Sequence, residues 1–124
     1  MIESTRIDDI NRELDKLELV NGIIGTAIVN RNGLTISSRL PRDIDSRKFG
    51  AMAATMFEAI ETAAATLKDK VLNLSTEFDD YQLIVYALNA DIIFVAYLEL
   101  NIDLGIVLIE IEECTKIICK ILEV

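Results

Sequence analysis

Asn21–Pro41 reads NGIIGTAIVNRNGLTISSRLP, and its reading decides how the flanking sequence is understood. Ile23 to Val29 is a nearly continuous apolar run, the pattern of a strand covered on both faces. Leu34, Ile36, Ser38 and Leu40 then alternate with Thr35, Ser37 and Arg39, the pattern of a strand covered on one face. Between them lies Asn30-Arg31-Asn32-Gly33, and Asn-Gly tolerates the positive φ that a tight hairpin turn demands. Pro41 ends the second strand, because it has no N–H to give to a ladder. Asn21-Gly22, before the first strand, is a helix stop: glycine accepts the left-handed conformation that closes helices.

Upstream, Ser4 or Thr5 offers a cap, and Ile7, Ile10, Leu14 and Leu17 follow at three- and four-residue steps. That spacing predicts an amphipathic helix with Asp8, Asp9, Arg12, Glu13, Asp15 and Lys16 on its solvated face. Downstream, Asp43 or Asp45 caps a long helix running to about Asp69. Phe49, Ala53, Met56, Ile60, Ala63 and Leu67 are read as its face toward the sheet. Ala51, Ala54, Thr55, Glu58, Thr62 and Ala65 lie opposite, where an ordinary surface helix carries long charged residues. Small residues there let another backbone approach, so this helix is expected to pack on two sides. Residues 71–78 alternate, with Leu72, Leu74, Thr76 and Phe78 on one face; 81–88 and 92–98 are almost wholly apolar. From a cap at Asp103 a last helix carries the stripe Val107, Ile111, Cys114, Ile118 and Ile121, although 104–111 is β-branched enough to be a strand.

The expected fold is α+β, with element order αββαβββα. It has a five-stranded antiparallel sheet between the long central helix on one face and the N- and C-terminal helices on the other. Strands apolar on both faces belong at the centre, and the alternating strands 34–40 and 71–78 at the edges. The edge at 71–78 has no proline and a single outward charge, Glu77, which is weak protection for an open edge. An open edge beside a helix with a small-residue back points to a second copy, joined strand to strand and helix to helix about a two-fold axis.

The 124 residues fit one domain, 1–124, and a composition 52% hydrophobic and 27% charged is that of a globular chain. Twelve Lys and Arg against 21 Asp and Glu leave a formal net charge of −9, which repels nucleic acid and anionic lipid. No histidine is present, which removes histidine triads, histidine metal sites and the usual neutral-pH proton shuttle. Cys114 and Cys119 point about 140° apart on a helix, so they are expected as small buried hydrophobes rather than a disulfide or metal pair. The N-terminus lacks the pattern of a signal peptide, and no apolar run has the length to span a bilayer, so a cytoplasmic protein is expected.

The chemistry-bearing residue types form no catalytic constellation. Asp8-Asp9, Asp79-Asp80 and Glu112-Glu113 read as solvated pairs on helix surfaces or a turn. Gly22 and Gly25 begin no phosphate-binding loop, lacking both GxGxxG and a following GK[ST]. Met52 and Met56 read as packing residues. Arg39, Arg42, Arg47 and Lys48 concentrate positive charge around the start of the central helix, which suits an acidic partner surface. No catalytic residue, metal or cofactor is assigned, and the chain is read as not an enzyme.

The hairpin resembles that of the Roadblock / dynein light-chain family, which tends to run G-x-x-G-x-x-x-V-x-x-x-G-x-x-I-x-S; Gly22, Gly25, Val29, Gly33, Ile36 and Ser38 stand at those places. Residues 48–67, KFGAMAATMFEAIETAAATL, are similar to its central helix. Asn101, Leu104 and Gly105 resemble the N-L-G that opens its last helix, with Ile102 and Asp103 inserted. The resemblance implies a dimer built from central helices and an edge strand, working as a non-catalytic platform for Ras-like small GTPases. Some bacterial members activate hydrolysis by positioning the GTPase's own residues. The dimer contact is expected at Ala54, Phe57, Glu58, Glu61, Val71, Asn73 and Ser75, with Ala54→Arg breaking it. The GTPase contact is expected at Arg47, Lys48, Ala51 and Thr55. A profilin-like or PAS-like ligand sensor, whose pocket would draw on Tyr81, Tyr86 and Tyr97, and a structural subunit of a larger complex are the alternatives.

Overall fold

Asn30 closes the first hairpin. Its side chain accepts hydrogen bonds from the backbone N–H groups of Asn32 (2.9 Å) and Leu34 (3.1 Å), and Gly33 takes a φ of 91°. The turn therefore forms from its own residues, and β1 (Ile23–Asn30) and β2 (Thr35–Arg39) leave it as neighbours. The computed structural model describes residues 3–123. The other elements are α1 (Ser4–Glu18), α2 (Ser46–Ala65), β3 (Asn73–Glu77), β4 (Tyr81–Ala87), β5 (Ile92–Glu99) and α3 (Leu104–Glu123).

The sheet runs β2-β1-β5-β4-β3, antiparallel throughout. The strands apolar on both faces hold the centre, and the two alternating strands hold the edges. On one face, α1 and α3 bury Ile10, Leu14, Leu17, Ile111 and Ile118 against Ile28, Phe94 and Leu98. On the other, α2 lays Phe49, Ala53, Ala54 and Phe57 on Ala27, Val29, Leu83, Val85 and Val95. Residues one apart along a strand thus serve two separate cores, as the period of two requires.

The structure departs from the sequence expectation in several places. Ser4 and Thr5 lie inside α1; Glu3 occupies the cap position and its side chain makes no capping bond. Glu13 is buried beside α3, where the Cys114 thiol approaches its carbonyl, rather than standing on the solvated face. α2 ends at Ala65, not Asp69, because Thr66–Lys68 turn the chain and Lys68 takes a φ of 57°. β3 is shorter than 71–78, which leaves Val71 outside it. Residues 104–111 are helical: Asp103 accepts from the Val107 N–H through its carbonyl and faces the Ile106 N–H with its side chain. That start places the inserted Ile102 and Asp103 in the turn before α3 rather than in the helix. Both cysteines are free, Cys114 buried and Cys119 half-buried.

The largest departure is the rotation of α2. Phe49 and Ala53 face the sheet as expected. The remaining inward positions are Gly50, Ala54 and Phe57, whereas Ile60, Ala63 and Leu67 are exposed and Met56 is half-buried. Gly50 is the cause. A Cβ there would stand 2.6 Å from the Thr35 hydroxyl oxygen and 3.1 Å from the Gly33 carbonyl. Gly50, Ala53 and Ala54 are the small residues spent on the sheet and hairpin, while Ala51, Thr55, Glu58, Thr62 and Ala65 stay exposed. This lets Phe57 reach the core and turns the methionine and isoleucine side outward.

Candidate functional site

The site is built on the outer surface of α2, which has two flanks. Asp45 caps the helix, its carboxylate accepting from the backbone N–H groups of Arg47 (2.9 Å) and Lys48 (3.3 Å). The cap fixes where these two cations leave the helix. On the hairpin flank, Arg47, Lys48 and Ala51 line a cavity of about 490 Å³ with Gly33, Leu34, Thr35 and Asp45. The Thr35 hydroxyl donates to the Ser46 carbonyl at 3.0 Å, tying the hairpin to the helix start. Three of the four residues expected at a GTPase contact are thus brought together. Thr55 is exposed one turn further along, its hydroxyl donating to the Ala51 carbonyl at 2.8 Å.

The basic cluster is smaller than the sequence suggests. Arg39 is held by Asp15 at 2.6 Å, with Glu18 at 3.9 Å, on α1. Among the described residues, no carboxylate lies within ion-pair distance of Arg42, Arg47 or Lys48.

The second flank is apolar. Met52, Met56, Ile60 and Ala63 recur at three- and four-residue steps along it, and Leu67, 75% exposed in the turn just past the helix, continues the line. The stripe begins at Met52, which shares a cleft with Phe78 just past β3. It ends at Leu67, just before the chain turns into β3. Leu72, at the entrance to β3, is 67% exposed.

Two residues expected at a dimer contact are placed elsewhere. Ala54 is 6% exposed and Phe57 fully buried, both within the chain's own core. They present no surface to a second chain, and Ala54→Arg would attack the fold rather than an interface. Glu61 is half-buried and paired with Arg31. Glu58 is exposed on α2, Asn73 and Ser75 are exposed on β3, and Val71 is half-buried before it.

Arg31, which in sequence reads only as part of a turn, has a larger role. Its guanidinium pairs with Glu61, donates to the Asn89 carbonyl at 3.0 Å and stands 5.1 Å from the centre of the Phe57 ring. One side chain thus ties the hairpin turn to α2 and to the β4–β5 turn. No local pattern could have signalled this, since its partners are 30 and 58 residues away.

The sequence matches the Roadblock/LC7 domain family over residues 10–98, most of the chain. The chain belongs to the Roadblock/LC7 family. Two uncharacterised Methanocaldococcus jannaschii proteins are similar in sequence. MJ0310 is 43% identical over 61 residues, 49% of this chain and 51% of that protein. MJ0714 is 36% identical over 67 residues, 54% of this chain and 53% of that protein. The chain spans about half the length of the curated relatives it matches.

Among solved structures, Myxococcus xanthus MglB shares 21% identity with a TM-score of 0.83, covering 98% of each chain. The gliding protein MglB of Thermus thermophilus shares 13% identity with a TM-score of 0.89, covering 99% of this chain and 95% of that one. A Roadblock/LC7 domain from Streptomyces avermitilis shares 15% identity with a TM-score of 0.83, over 91% and 97% of the two chains. At these identities the likeness is one of fold.

In this Roadblock/LC7 chain the ionisable groups form no metal set: among the described residues, no group of three or more His, Cys, Asp or Glu is placed to hold an ion. Among the same residues, no helix is long and apolar enough to cross a membrane. The Tyr97 hydroxyl is pushed up to about 12, first by burial, then by the Tyr81 hydroxyl beside it and the charges of Asp43 and Asp80. It stays protonated at neutral pH, and its ring packs between those of Phe49 and Tyr81.

Proposed function

We propose that this protein is a non-catalytic cytoplasmic scaffold that pairs with a second copy of itself and holds a Ras-like small GTPase on its α2 surface. The observation that carries the reading is the division of α2 into two exposed flanks: a basic cavity at the hairpin, and an apolar stripe running to an open strand edge. An apolar stripe on a surface helix costs solubility unless something covers it. An open edge strand beside it supplies backbone groups for the same partner. Pairing of two copies satisfies both at once.

Membership of the Roadblock/LC7 family supports the GTPase part, through the platform role that the resemblance implies. Arg47 and Lys48, cations without an acidic partner among the described residues on a chain of net charge −9, suit an acidic protein surface. The absence of histidine from the sequence and the solvated positions of the paired acids support a scaffold over an enzyme. The sensor alternative has its best support in the aromatic cleft beside Met52, lined by Phe49, Phe78, Tyr81 and Tyr97.

The test is capture from host lysate on immobilised protein, charged with GDP or with a non-hydrolysable GTP analogue. A small GTPase held in one nucleotide state, and released by Arg47→Glu with Lys48→Glu, is the expected result. A GTPase that binds the double variant equally well moves the contact elsewhere. No GTPase in either state overturns the partner assignment and leaves self-pairing to be judged by light scattering.

A further inference from the structure

We propose that the cleft between the start of α2 and the β3–β4 turn is a binding site for a small organic ammonium ion, held by a wall of aromatic rings and by the Asp43 carboxylate at its rim. The proposal stands apart from self-pairing and from the GTPase contact, and depends on neither.

Sheet register gathers the rings. β4 and β5 set Leu83 directly opposite Tyr97, and Tyr81, two residues before Leu83, shares its face by the period of two. That face is the one covered by α2, since Leu83 and Tyr97 pack with Phe49. Phe78 joins them from just past β3, and Phe49 from one turn into α2. Tyr97 meets Phe49 at 6.0 Å between centres and Tyr81 at 4.5 Å, and Tyr81 meets Phe78 at 5.5 Å. Their planes are inclined by 84°, 61° and 45°, so the rings form a bent wall rather than a stack. Phe78, Tyr81 and Tyr97 are half-buried, and all four rings line a cavity of about 450 Å³. That volume lies within the range of about 300–1,000 Å³ usual for small-molecule sites. The face of an aromatic ring carries partial negative charge, so such a wall favours a cation over a neutral molecule of the same shape.

The rim adds full charges of the same sign. Asp43 and Asp45 stand in the lining, with Lys48 on the helix side. Asp45 is partly engaged as the cap of α2. Among the described residues, no cation lies within ion-pair distance of Asp43, Asp45 or Asp80. Lys48 therefore leaves the rim acids unneutralised. The charges of Asp43, before α2, and Asp80, in the β3–β4 turn, both bear on the Tyr97 hydroxyl, so acids from two separate loops converge on the same ring. Lys48 also repels a second positive charge, which makes the favoured ligand a monocation. Its apolar body lies on Phe49 and Met52, and its ammonium sits between the tyrosine rings and Asp43.

Titrating the full chain at low salt with phenethylammonium, followed through the ring signals of Tyr81 and Tyr97 in nuclear magnetic resonance, tests this. Saturable shifts of both rings, with neutral 2-phenylethanol binding about tenfold more weakly, are the expected result. Asp43→Asn is expected to weaken the amine about two- to fivefold and to leave the alcohol unchanged. Asp43 is exposed and holds no ion pair, so this variant keeps the fold. Tyr81→Leu retains an apolar wall but removes a ring face, and is expected to weaken the amine by about two- to thirtyfold. Amine and alcohol that bind alike, or an amine indifferent to Asp43→Asn, overturn the cation site. Absence of saturation by about 10 mM, a poorer fit than a pocket gives a ligand of this size, overturns it too. N-acetyl-lysine methylamide presents the same ammonium as a protein side chain does. Tighter binding of that compound than of the free amine overturns the small-ligand assignment in favour of a protein lysine. Self-pairing and GTPase capture are read by light scattering and by lysate capture, so their failure is distinguishable from failure here.

Discussion

Gly50 decides more about α2 than any large side chain does. A Cβ at that position collides with the Thr35 hydroxyl at 2.6 Å and presses on the Gly33 carbonyl at 3.1 Å. Gly50→Ala is therefore expected to destabilise the fold by about 1–3 kcal/mol, the usual range for overpacking, despite alanine's better helix propensity. Urea unfolding at neutral pH would measure it; an unchanged or raised midpoint would show that the hairpin yields. Cys114 carries a second expectation. Burial first, with the Glu13 charge adding and Lys16 partly opposing, pushes its thiol up to about 12 from the model-compound 9.0. The unfolded thiol ionises near 9 while the folded one stays neutral, so the folded state binds more protons above that pH. Stability is then complete below about pH 9 and falls as pH rises toward 12. Denaturant midpoints taken from pH 8 to 11 should decline, and Cys114→Ala should flatten part of the decline. Arg31 marks where residue-level reading stops, because Glu61, Asn89 and Phe57 meet it only through tertiary contact.

At the scale of elements, binary pattern is a good guide to strands and a poorer one to helix rotation. Strand alternation has a period of two, so a misplaced register would put every side chain on the wrong face, and the pattern admits one answer. α2 is different. It has apolar or small residues nearly all the way round, so a face rotated by one residue is almost as apolar as the true one. The tie is broken by Gly50 and Phe57, through close approach to a hairpin distant in sequence. Caps show a similar limit. Asp45 caps α2 as expected, but the cap of α1 falls one residue before Ser4, on Glu3, whose side chain makes no capping bond. Glu3→Ser should therefore stabilise the chain by about 0.5–2 kcal/mol by satisfying an orphan N–H. A thermal melt would register this as a rise in midpoint, and no rise would mean that α1 frays at this end.

For the whole molecule, the exposed stripe of α2 and the open edge of β3 form one surface. Ile60→Lys places a charge in the middle of that stripe without touching either core. It is expected to halve the mass seen by light scattering while leaving the circular dichroism spectrum unchanged. A variant that keeps the wild-type mass would remove α2 from the self-contact. The candidate site is legible in part. Arg47 and Lys48 stand out in sequence as basic residues at a helix start, and the structure gathers them with Ala51, Leu34 and Thr35 in one cavity. Met52, Met56, Ile60 and Leu67 are visible at helical spacing, but spacing alone makes them core. Ala54 and Phe57 fall on the surface side for the same reason.

The sequence by itself determined the element order, the central and edge strands and the hairpin turn. These depend on periodicity and turn chemistry, which are local properties of the chain. Tertiary structure alone decided which way α2 faces, which cations remain unpaired and where Arg31 is anchored. These depend on how closely distant backbones approach and on which opposite charges meet across the fold, and neither is written in any local run of residues.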